Sequence, residues 1–453
     1  MRLSTQRLLT SVFLFVASFS LHAELRIAVF DADVTPPIGA PLCNGSITPV
    51  KKIEAPLSAR GIVILGSGKP IVLCAFDWVG IGNAAHDEYC TALAKAAGTT
   101  ADRVTVHTLH QHDAPAADYS TEELLKTIGL GGSMFDPAFA QKAIINVAHA
   151  VKESLKHTKP VTHVGLGQGK VEKVASNRRI LGDNGRVKIV RYSSSRNPAA
   201  IAAPEGVIDP MVKLIAFWNG DKPVAGLTHY ATHPQSYYGR GGVNPDFPGM
   251  ARSIMGEEIP EAMHVHFAGA GGNVGAGKYN NGSPELRPIL AKRLAAGMRT
   301  AWKNQEKFKV SSKDIGWEYE PVSLPVRKTI SEESRLPLYN NPKERATTRR
   351  FAARDLVFLR RTKAGHKINL NCLRVAKARI LYMPGELFVE YQLGAQKMAP
   401  NLFVAMAAYG QYSPGYIGDR ISYTQGGYET GRVSRVDPSV EDILNSAMKN
   451  LLD

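Results

Sequence analysis

The sequence predicts an α/β fold in which mixed β-sheets are sandwiched by helices and the active site lies at the carboxyl ends of the strands. Apolar runs typical of β-hairpins alternate with amphipathic helical stretches, a mixture that favours mixed sheets. Several of these apolar runs end in loops of glycine or polar residues. Because ligands of open α/β sheets bind beyond the carboxyl ends of the strands, we expect these loops to carry the function.

Local patterns indicate the strands and helices of the first half of the chain. Short apolar runs bounded by turn residues predict strands at residues 25–29, 61–65, 71–75, 104–107 and 162–166. A helix is expected to begin with Asn83 as its cap and to end at Gly98. Asp136 suits a helix N-cap and Pro137 suits the first helical position, so a second helix should run to Leu155.

Four apolar runs in the second half share a polar or glycine-rich end. They predict strands at residues 224–232, 265–268, 378–383 and 402–408. The first ends at His233, the second at a glycine loop over 269–277, the third at Glu386 and the fourth at a tyrosine-rich loop. We expect a helix to begin at Glu386 and residues 337–348 to be an exposed excursion. The residue pattern shows no internal repeat and no domain boundary, so residues 24–453 are expected to form one domain.

The N-terminus predicts a signal peptide over residues 1–23. Arg2 and Arg7 precede an apolar run over 8–21, and Ala23 is a suitable cleavage point. The run is short for a membrane span, and polar sequence follows it directly. No later stretch reaches the length of a membrane helix, so we expect an exported chain, either periplasmic or secreted.

Basic residues exceed acidic ones, with 55 Lys and Arg against 40 Asp and Glu and a formal net charge of +15. The densest basic stretch, residues 343–363, interleaves Glu344 and Asp355 and is interpreted as a solvated helix face. A peripheral contact with an anionic membrane surface is the functional alternative. Nucleic acid is not expected as a partner, because the chain is predicted to be exported and shows no base-stacking module.

The cysteines are few and dispersed, and they form no Cys-x-x-Cys motif. They are Cys43, Cys74, Cys90 and Cys372. Cys74 falls in an apolar strand and Cys90 in a helical stretch, where each suits a small buried side chain. Export permits disulfides, and the spacing leaves open whether none, one or two form.

Two histidines, His110 and His112, follow the predicted strand at residues 104–107. In extended backbone both side chains point to the same side, because alternate residues of a strand share a face. Both could then bind one metal, or one could bind it while the other acts on a substrate. A polar loop whose histidines only make hydrogen bonds is the alternative for an isolated pair.

Two further ligand candidates lie at the ends of later strands. His233 precedes a proline, which restricts its backbone to the extended region and fixes the direction of its ring. His229 lies on the same face of that strand and is a rival ligand. Glu386 is expected in the first turn of a helix, where the helix dipole favours the ionised carboxylate that a metal needs.

Several common catalytic motifs are missing from the sequence. The glycine loop over 269–277 has Val274 where a dinucleotide fingerprint needs its third glycine, and no β-α-β context follows. Neither a Gly-x-Ser-x-Gly elbow nor a His-Glu-x-x-His motif occurs. These absences disfavour a serine hydrolase and a zincin-type protease. We interpret the glycine loop as a turn that lets the backbone approach another group closely.

The chain resembles the neutral, non-lysosomal ceramidase family over most of residues 24–453. Six segments carry the resemblance, and they occur in the family's order. These are the turn over 33–39, His110-Gln111-His112-Asp113-Ala114-Pro115, Asn177-Arg178, Thr232-His233-Pro234, Pro384-Gly385-Glu386, and Tyr416-Ile417 with Tyr423 and Tyr428-Glu429. The resemblance implies the catalytic domain of that family without its C-terminal immunoglobulin-like domain. Asp113-Ala114 and Arg179-Ile180 depart from the family pattern, which indicates different pocket contacts.

The resemblance also implies a zinc site and the residues around it. The implied zinc ligands are His110, His233, Glu386 and Tyr416. The implied catalytic groups are His112, which would stabilise the developing oxyanion, and Glu386, which would also take part in proton transfer. Arg178 and Tyr428 are the implied substrate-binding residues.

The function implied by this set is zinc-dependent hydrolysis of an N-acyl amide. The substrate would be an N-acylsphingosine or a related lipid, which is split into a fatty acid and an amine in sphingolipid metabolism. One alternative is an exported, non-catalytic zinc protein that binds a lipid or a glycan. The other is a zinc hydrolase that acts on a different amide or on an ester.

Overall fold

Three mixed β-sheets form the framework of residues 24–453, which are the residues described by the computed structural model. The predicted signal peptide at 1–23 lies outside the described residues. Each sheet contains four long strands side by side. The first three are antiparallel to their neighbours, the second and third forming a hairpin, and the fourth runs parallel to the third. A helix connects the hairpin to the parallel strand, and a second helix follows that strand. The predicted mixed α/β class is confirmed.

The same order of elements therefore occurs three times, in what we call units 1, 2 and 3. Unit 1 contains β1 (Arg26–Asp33), β2 (Ser58–Leu65), β3 (Ile71–Phe76), α1 (Asn83–Ala97), β4 (Val104–Thr108) and α2 (Pro137–Ser154). Unit 2 contains β5 (His163–Lys170), β6 (Met211–Asn219), β7 (Lys222–Tyr230), α3 (Asp246–Glu258), β8 (Met263–Ala268) and α4 (Leu286–Lys303). Unit 3 contains β9 (Ile315–Val322), β10 (Ile368–Val375), β11 (Ala378–Tyr382), α5 (Val389–Met398), β12 (Phe403–Ala407) and α6 (Val440–Leu452).

The threefold repeat of the backbone is not visible in the residue pattern. Corresponding strands end in different residues, with Leu109-His110 after β4, Gly269-Ala270 after β8 and Ala408-Tyr409 after β12. Only strand order and apolar character recur, and these do not require similar residues at matching positions. The expectation of no internal repeat holds for the sequence and is wrong for the structure.

The three sheets pack their inner faces against one another in one apolar core. Fully buried side chains come from every sheet: Ile62, Leu73, Ile215, Leu227, Leu373 and Ile380. Burial of such a side chain stabilises the fold by roughly 1.5–3 kcal/mol. The outer faces are covered by α1 and α2 in unit 1, by α3 and α4 in unit 2, and by α5 and α6 in unit 3. The predicted arrangement of sheets between helices follows from this packing.

Shorter elements extend the sheets and connect the units. The edge strands Lys159–Pro160 and Glu306–Lys309 pair with β1 and β5. The remaining longer helices are Tyr119–Thr127, Glu332–Asn340 and Ala346–Lys363. No helix among residues 24–453 combines the length and the apolar content that crossing a membrane requires. All four cysteines are free thiols, and Cys74 and Cys90 are buried as expected.

Two of three local predictions are wrong. Asn83 does not cap α1, because Gly82 is the N-cap and the Asn83 amide donates instead to Asp118 at 2.8 Å. Residues 337–348 are mostly exposed, as expected, and residues 337–340 and 346–348 of this stretch lie in two helices. The basic stretch over 343–363 is not simply a solvated face, because the helix Ala346–Lys363 buries residues 352, 353 and 355–359.

A buried ion pair connects units 1 and 2. Asp77 follows β3, and its two carboxylate oxygens accept hydrogen bonds from Arg252 of α3 at 2.8 and 2.7 Å. Burial raises the pKa of Asp77, but Arg252 and hydrogen bonds from Ser58 outweigh that effect and hold the pKa below its usual value. The pair therefore keeps Asp77 ionised inside the protein.

Replacement of Asp77 by asparagine is expected to lower the free energy of unfolding by about 3–5 kcal/mol at neutral pH, because Arg252 would remain buried without its partner. Since the folded pKa lies below the unfolded value of about 3.9, this contribution is present at neutral pH and is lost as pH falls through the folded pKa. Urea unfolding at several pH values measures it. Asp31→Asn is the control, because Asp31 forms a partly exposed ion pair with Arg60 at 2.9 Å. This variant should lower the free energy of unfolding by less than about 1 kcal/mol. Equal losses of unfolding free energy in the two variants would contradict the stabilising role of the buried Asp77–Arg252 pair.

Candidate metal centre

One side chain from each unit converges on a common point. His110 follows β4, His233 follows β7 and Glu386 follows β11, so each lies beyond the carboxyl end of a strand. Their ligand atoms all lie within 4.8 Å of one another, and all three residues are buried. Glu386 Oε2 is 3.2 Å from His110 Nε2 and 3.2 Å from His233 Nε2. This group could bind a metal ion.

Backbone carbonyls fix the orientation and the tautomer of both imidazoles. His110 Nδ1 lies 2.7 Å from the Val79 carbonyl, and His233 Nδ1 lies 2.6 Å from the Gly271 carbonyl. Because a carbonyl can only accept a hydrogen bond, each Nδ1 carries the proton and donates it. Each Nε2 is then left with a lone pair that is directed toward Glu386. Metal-binding histidines are commonly held in this way by a partner on the other nitrogen.

The electrostatics of the group match the protonation states that a metal needs. Burial and Arg178 lower the pKa of His233 to about 4, so its ring is neutral at neutral pH. Burial raises the pKa of Glu386, but a positive charge held between Glu386, His110 and His233 lowers the pKa well below its usual range. An ionised carboxylate and two imidazole lone pairs therefore face one another, and His110 Nε2 has no hydrogen-bond partner among residues 24–453. A cation between them would satisfy all three.

The local backbone around the group is tightly constrained. His110 has a φ of 67°, a left-handed conformation that is uncommon for residues other than glycine and that is often found at functional sites. A Cβ at Gly272 would lie 2.2 Å from the Glu386 carbonyl oxygen. The glycine loop thus brings backbone close to Glu386, in agreement with the expected close approach.

The expected helix at Glu386 is wrong. Glu386–Leu387 is a short strand that pairs in parallel with Tyr416–Ile417, and α5 begins only at Val389. Glu386 therefore lies outside the first turn of the helix, so the predicted stabilisation of its carboxylate by the helix dipole does not apply. The strand pairing also brings Tyr416 to the same group.

Tyr416 lies where a fourth ligand could stand. Its hydroxyl is 3.0 Å from His233 Nε2, and it accepts a hydrogen bond from Arg178 at 3.1 Å. Burial raises the pKa of the Tyr416 phenol well above its usual value, and the nearby Arg178 guanidinium opposes that rise. Arg178 in turn forms a buried ion pair with Glu429 at 3.2 Å.

The other predicted site residues surround this group. His112 is half-buried, its ring contacts that of Tyr238 with centroids 4.5 Å apart, and its Nδ1 has no partner in the described part of the chain. Tyr428 packs edge-on against Tyr416 with centroids 5.7 Å apart. His229, the rival ligand, stacks on Phe267 and does not belong to the metal group.

Two tyrosines contact the group although the sequence argument gave them no role. The Tyr409 ring stacks on His110 with centroids 4.8 Å apart, and the Tyr412 hydroxyl donates to Glu386 Oε1 at 3.3 Å. Both lie in the tyrosine-rich loop after β12, where the residue pattern alone does not distinguish a ligand from a neighbour. Their position directly after a predicted strand was the signal available in the sequence.

Two cavities flank the metal group, and we call them the larger and the smaller lobe. The larger lobe has a volume of about 240 Å³ and contacts His110 and Glu386. The smaller lobe has a volume of about 190 Å³ and contacts His233 and Arg178. Four residues line both: His112, Tyr238, Tyr416 and Tyr428. A substrate that spans both lobes would place its central bond beside the metal group.

Two of the residues that depart from the ceramidase pattern contact segments next to these lobes without lining the lobes themselves. Asp113 accepts a hydrogen bond from the Gly239 amide at 2.9 Å, next to Tyr238. Arg179 pairs with Glu429 at 3.3 Å and donates to the Ser422 carbonyl at 3.0 Å. Neither residue belongs to the metal group.

Comparison with known proteins shows a likeness of fold. No protein-family model and no curated protein matches the chain. A solved ceramidase complexed with C2 superposes with a TM-score of 0.71 at 15% sequence identity, covering 95% of this chain and 75% of that one. The neutral ceramidase from Pseudomonas aeruginosa gives a TM-score of 0.69 at 15% identity, covering 95% and 74%. The predicted resemblance to neutral ceramidases is thus confirmed at the level of the fold.

Proposed function

We propose that this chain is a ceramidase-like zinc amidohydrolase that splits an N-acyl lipid, an N-acylsphingosine or a related amide, into a fatty acid and an amine. The observation that carries the proposal is the meeting of three electron-pair donors from three units at one buried point, beside two cavities. The likeness in fold to neutral ceramidases supports it.

The residues that would hold the ion are His110, His233, Glu386 and Tyr416. Two neutral imidazoles and oxygen ligands are a set that zinc commonly takes. When bound, zinc lowers the pKa of a water molecule to about 7 and polarises a carbonyl oxygen. Glu386 offsets part of the ionic charge, and the carbonyls of Val79 and Gly271 keep the imidazoles in the required tautomer.

The remaining side chains would bind the substrate and stabilise the charge that develops on its carbonyl oxygen. His112 lines both lobes and has a free ring nitrogen, so it can donate a hydrogen bond to that oxygen. Arg178 and Tyr428 line the smaller lobe and would contact one arm of the substrate. Glu386 would accept the proton that the attacking water loses.

Turnover of a substrate panel tests the proposal. Wild-type protein should hydrolyse at least one N-acyl amide among short-chain and long-chain N-acylsphingosines and simple N-acyl amines, lose the activity on chelation and regain it with zinc. Stoichiometric zinc without any turnover would instead favour the non-catalytic zinc protein. Turnover of esters alone would favour the other hydrolase class. Lobes that open beside the metal group favour the enzyme over a closed structural site.

Export remains part of the proposal and depends on the signal-like residues 1–23. The exposed tyrosines at the mouth of the lobes (Tyr192, Tyr238 and Tyr428) suit contact with an amphipathic substrate. Peripheral attraction to an anionic membrane surface would follow from the net charge of +15.

A further inference from the structure

An arginine that the metal chemistry does not use lines the larger lobe. Arg354 lies on the helix Ala346–Lys363, and it faces the same cavity as Glu386, Tyr412 and Tyr416. Its guanidinium packs over the Tyr412 ring, 5.2 Å from the centroid. Because Tyr412 donates to Glu386, Arg354 is only one side chain removed from the metal group.

The charge of Arg354 has no carboxylate partner within 4.0 Å among residues 24–453. The nearby acids are already engaged: Asp355 pairs with Arg335 at 2.7 Å and with Arg435 at 2.9 Å. Asp118, which also acts on Arg354 electrostatically, accepts hydrogen bonds from Asn83 and Thr121. A half-buried arginine that contacts Tyr412 but no described carboxylate favours a site for an anion.

The other charges of the two lobes do not compensate Arg354. Among residues 24–453, Glu386 is the only carboxylate that lines the larger lobe, and a bound divalent cation would more than neutralise it. Arg435 is paired with Asp355, and in the smaller lobe Arg178 is paired with Glu429. Among the described arginines that line the two lobes, only Arg354 therefore contacts no carboxylate, and it lies on one side of the metal group.

We propose that the substrate carries an anionic group which enters the larger lobe and pairs with Arg354. This inference rests on the proposed function and narrows its substrate class to anionic acyl amides. The anion can belong to the amine part, as in an N-acyl amino acid, or to the acyl part, as in the monoamide of a dicarboxylic acid. The shared chemistry is a carboxylate joined to the scissile amide by a short chain.

Matched pairs of substrates test this inference with the zinc-loaded protein. N-octanoylglycine is compared with N-octanoylethanolamine, and N-octylsuccinamic acid with N-octylbutanamide, so that each pair differs mainly in charge. Wild-type protein should prefer the anionic member of one pair, and the preferred pair identifies the part that carries the anion. Arg354→Met should reduce that preference by about 10- to 100-fold, as expected for loss of a hydrogen-bonded charge partner. Arg354→Lys should retain part of it.

Arg360→Met is the matched control, because Arg360 lies on the same helix but pairs at the surface with Glu332 at 2.8 Å. It should leave the preference unchanged, and circular dichroism should show all variants folded. An unchanged preference in Arg354→Met, or no preference in wild type, would overturn the inference while leaving the proposed amide hydrolysis intact.

A binding measurement separates the two proposals if no amide is hydrolysed. Isothermal titration calorimetry with metal-free wild-type protein should show binding of N-octanoylglycine and of N-octylsuccinamic acid. The ligand that binds wild type more tightly should bind Arg354→Met at least about 10-fold more weakly. Absence of turnover with this difference present would reject the hydrolase and keep the anion site. Equal binding to both proteins would reject the anion site.

Discussion

Replacement of His110 by alanine is expected to remove the bound metal and to lower hydrolysis by about 10³-fold or more, because the metal contributes several kcal/mol to the transition state. The ring supplies one of the three buried ligand atoms, and His233 is the only other described histidine in the group. Metal content by mass spectrometry and turnover of the best panel substrate measure the two effects together.

A matched control distinguishes loss of a ligand from loss of a buried histidine. His229 was the rival ligand, and its ring stacks on Phe267 at a centroid distance of 5.3 Å. His229→Phe can preserve that apolar contact, so it should keep one zinc per chain and most of the activity. Zinc retained in His110→Ala but lost in His229→Phe would contradict the assignment.

Replacement of His112 by phenylalanine is expected to lower kcat by about 10²–10³-fold while zinc content stays at one per chain, because the oxyanion loses one hydrogen-bond donor. The phenyl ring can keep the edge contact with Tyr238, so the cavity wall should persist. A largely unchanged KM would show that the lost contact acts in the transition state.

His149→Phe, at an exposed position on α2, is the control for this second variant and should behave as wild type. Loss of zinc in His112→Phe would instead show that His112 supports the metal group. Full activity of His112→Phe would exclude its role as the oxyanion donor.

The sequence predicted the ends of the strands better than the connections between them. Residues 104–107, 224–232 and 378–383 were recognised as strands because apolar β-formers run directly into polar residues, and the metal group indeed lies at their carboxyl ends. This part was predictable because it depends on local hydrophobic pattern.

Long-range pairing was not predictable from the same patterns. Glu386 pairs in a short parallel strand with Tyr416, thirty positions later, and this contact overrides the helix that Pro384-Gly385 suggested. The choice of Tyr416 over Tyr409 and Tyr412 came only from the family resemblance. The threefold repeat was hidden because the units share strand order and not residues.

For Arg354 the charged composition of its helix led to a wrong prediction, whereas the spacing of its apolar residues indicated a partly buried face. The basic stretch over 343–363 suggested a solvated face, yet Arg354 lies three positions after Phe351 and four before the buried Phe358. Residues at these spacings share one face of a helix. That face contains both apolar contacts and an arginine that lines the larger lobe.

The central claim is that one metal ion lies where the three units meet. Crystals of zinc-loaded protein, measured on both sides of the zinc absorption edge, test it most directly. We expect a single strong anomalous peak within about 2.0–2.2 Å of His110 Nε2, His233 Nε2 and a Glu386 oxygen. A fully active protein without a peak at that position would contradict the account.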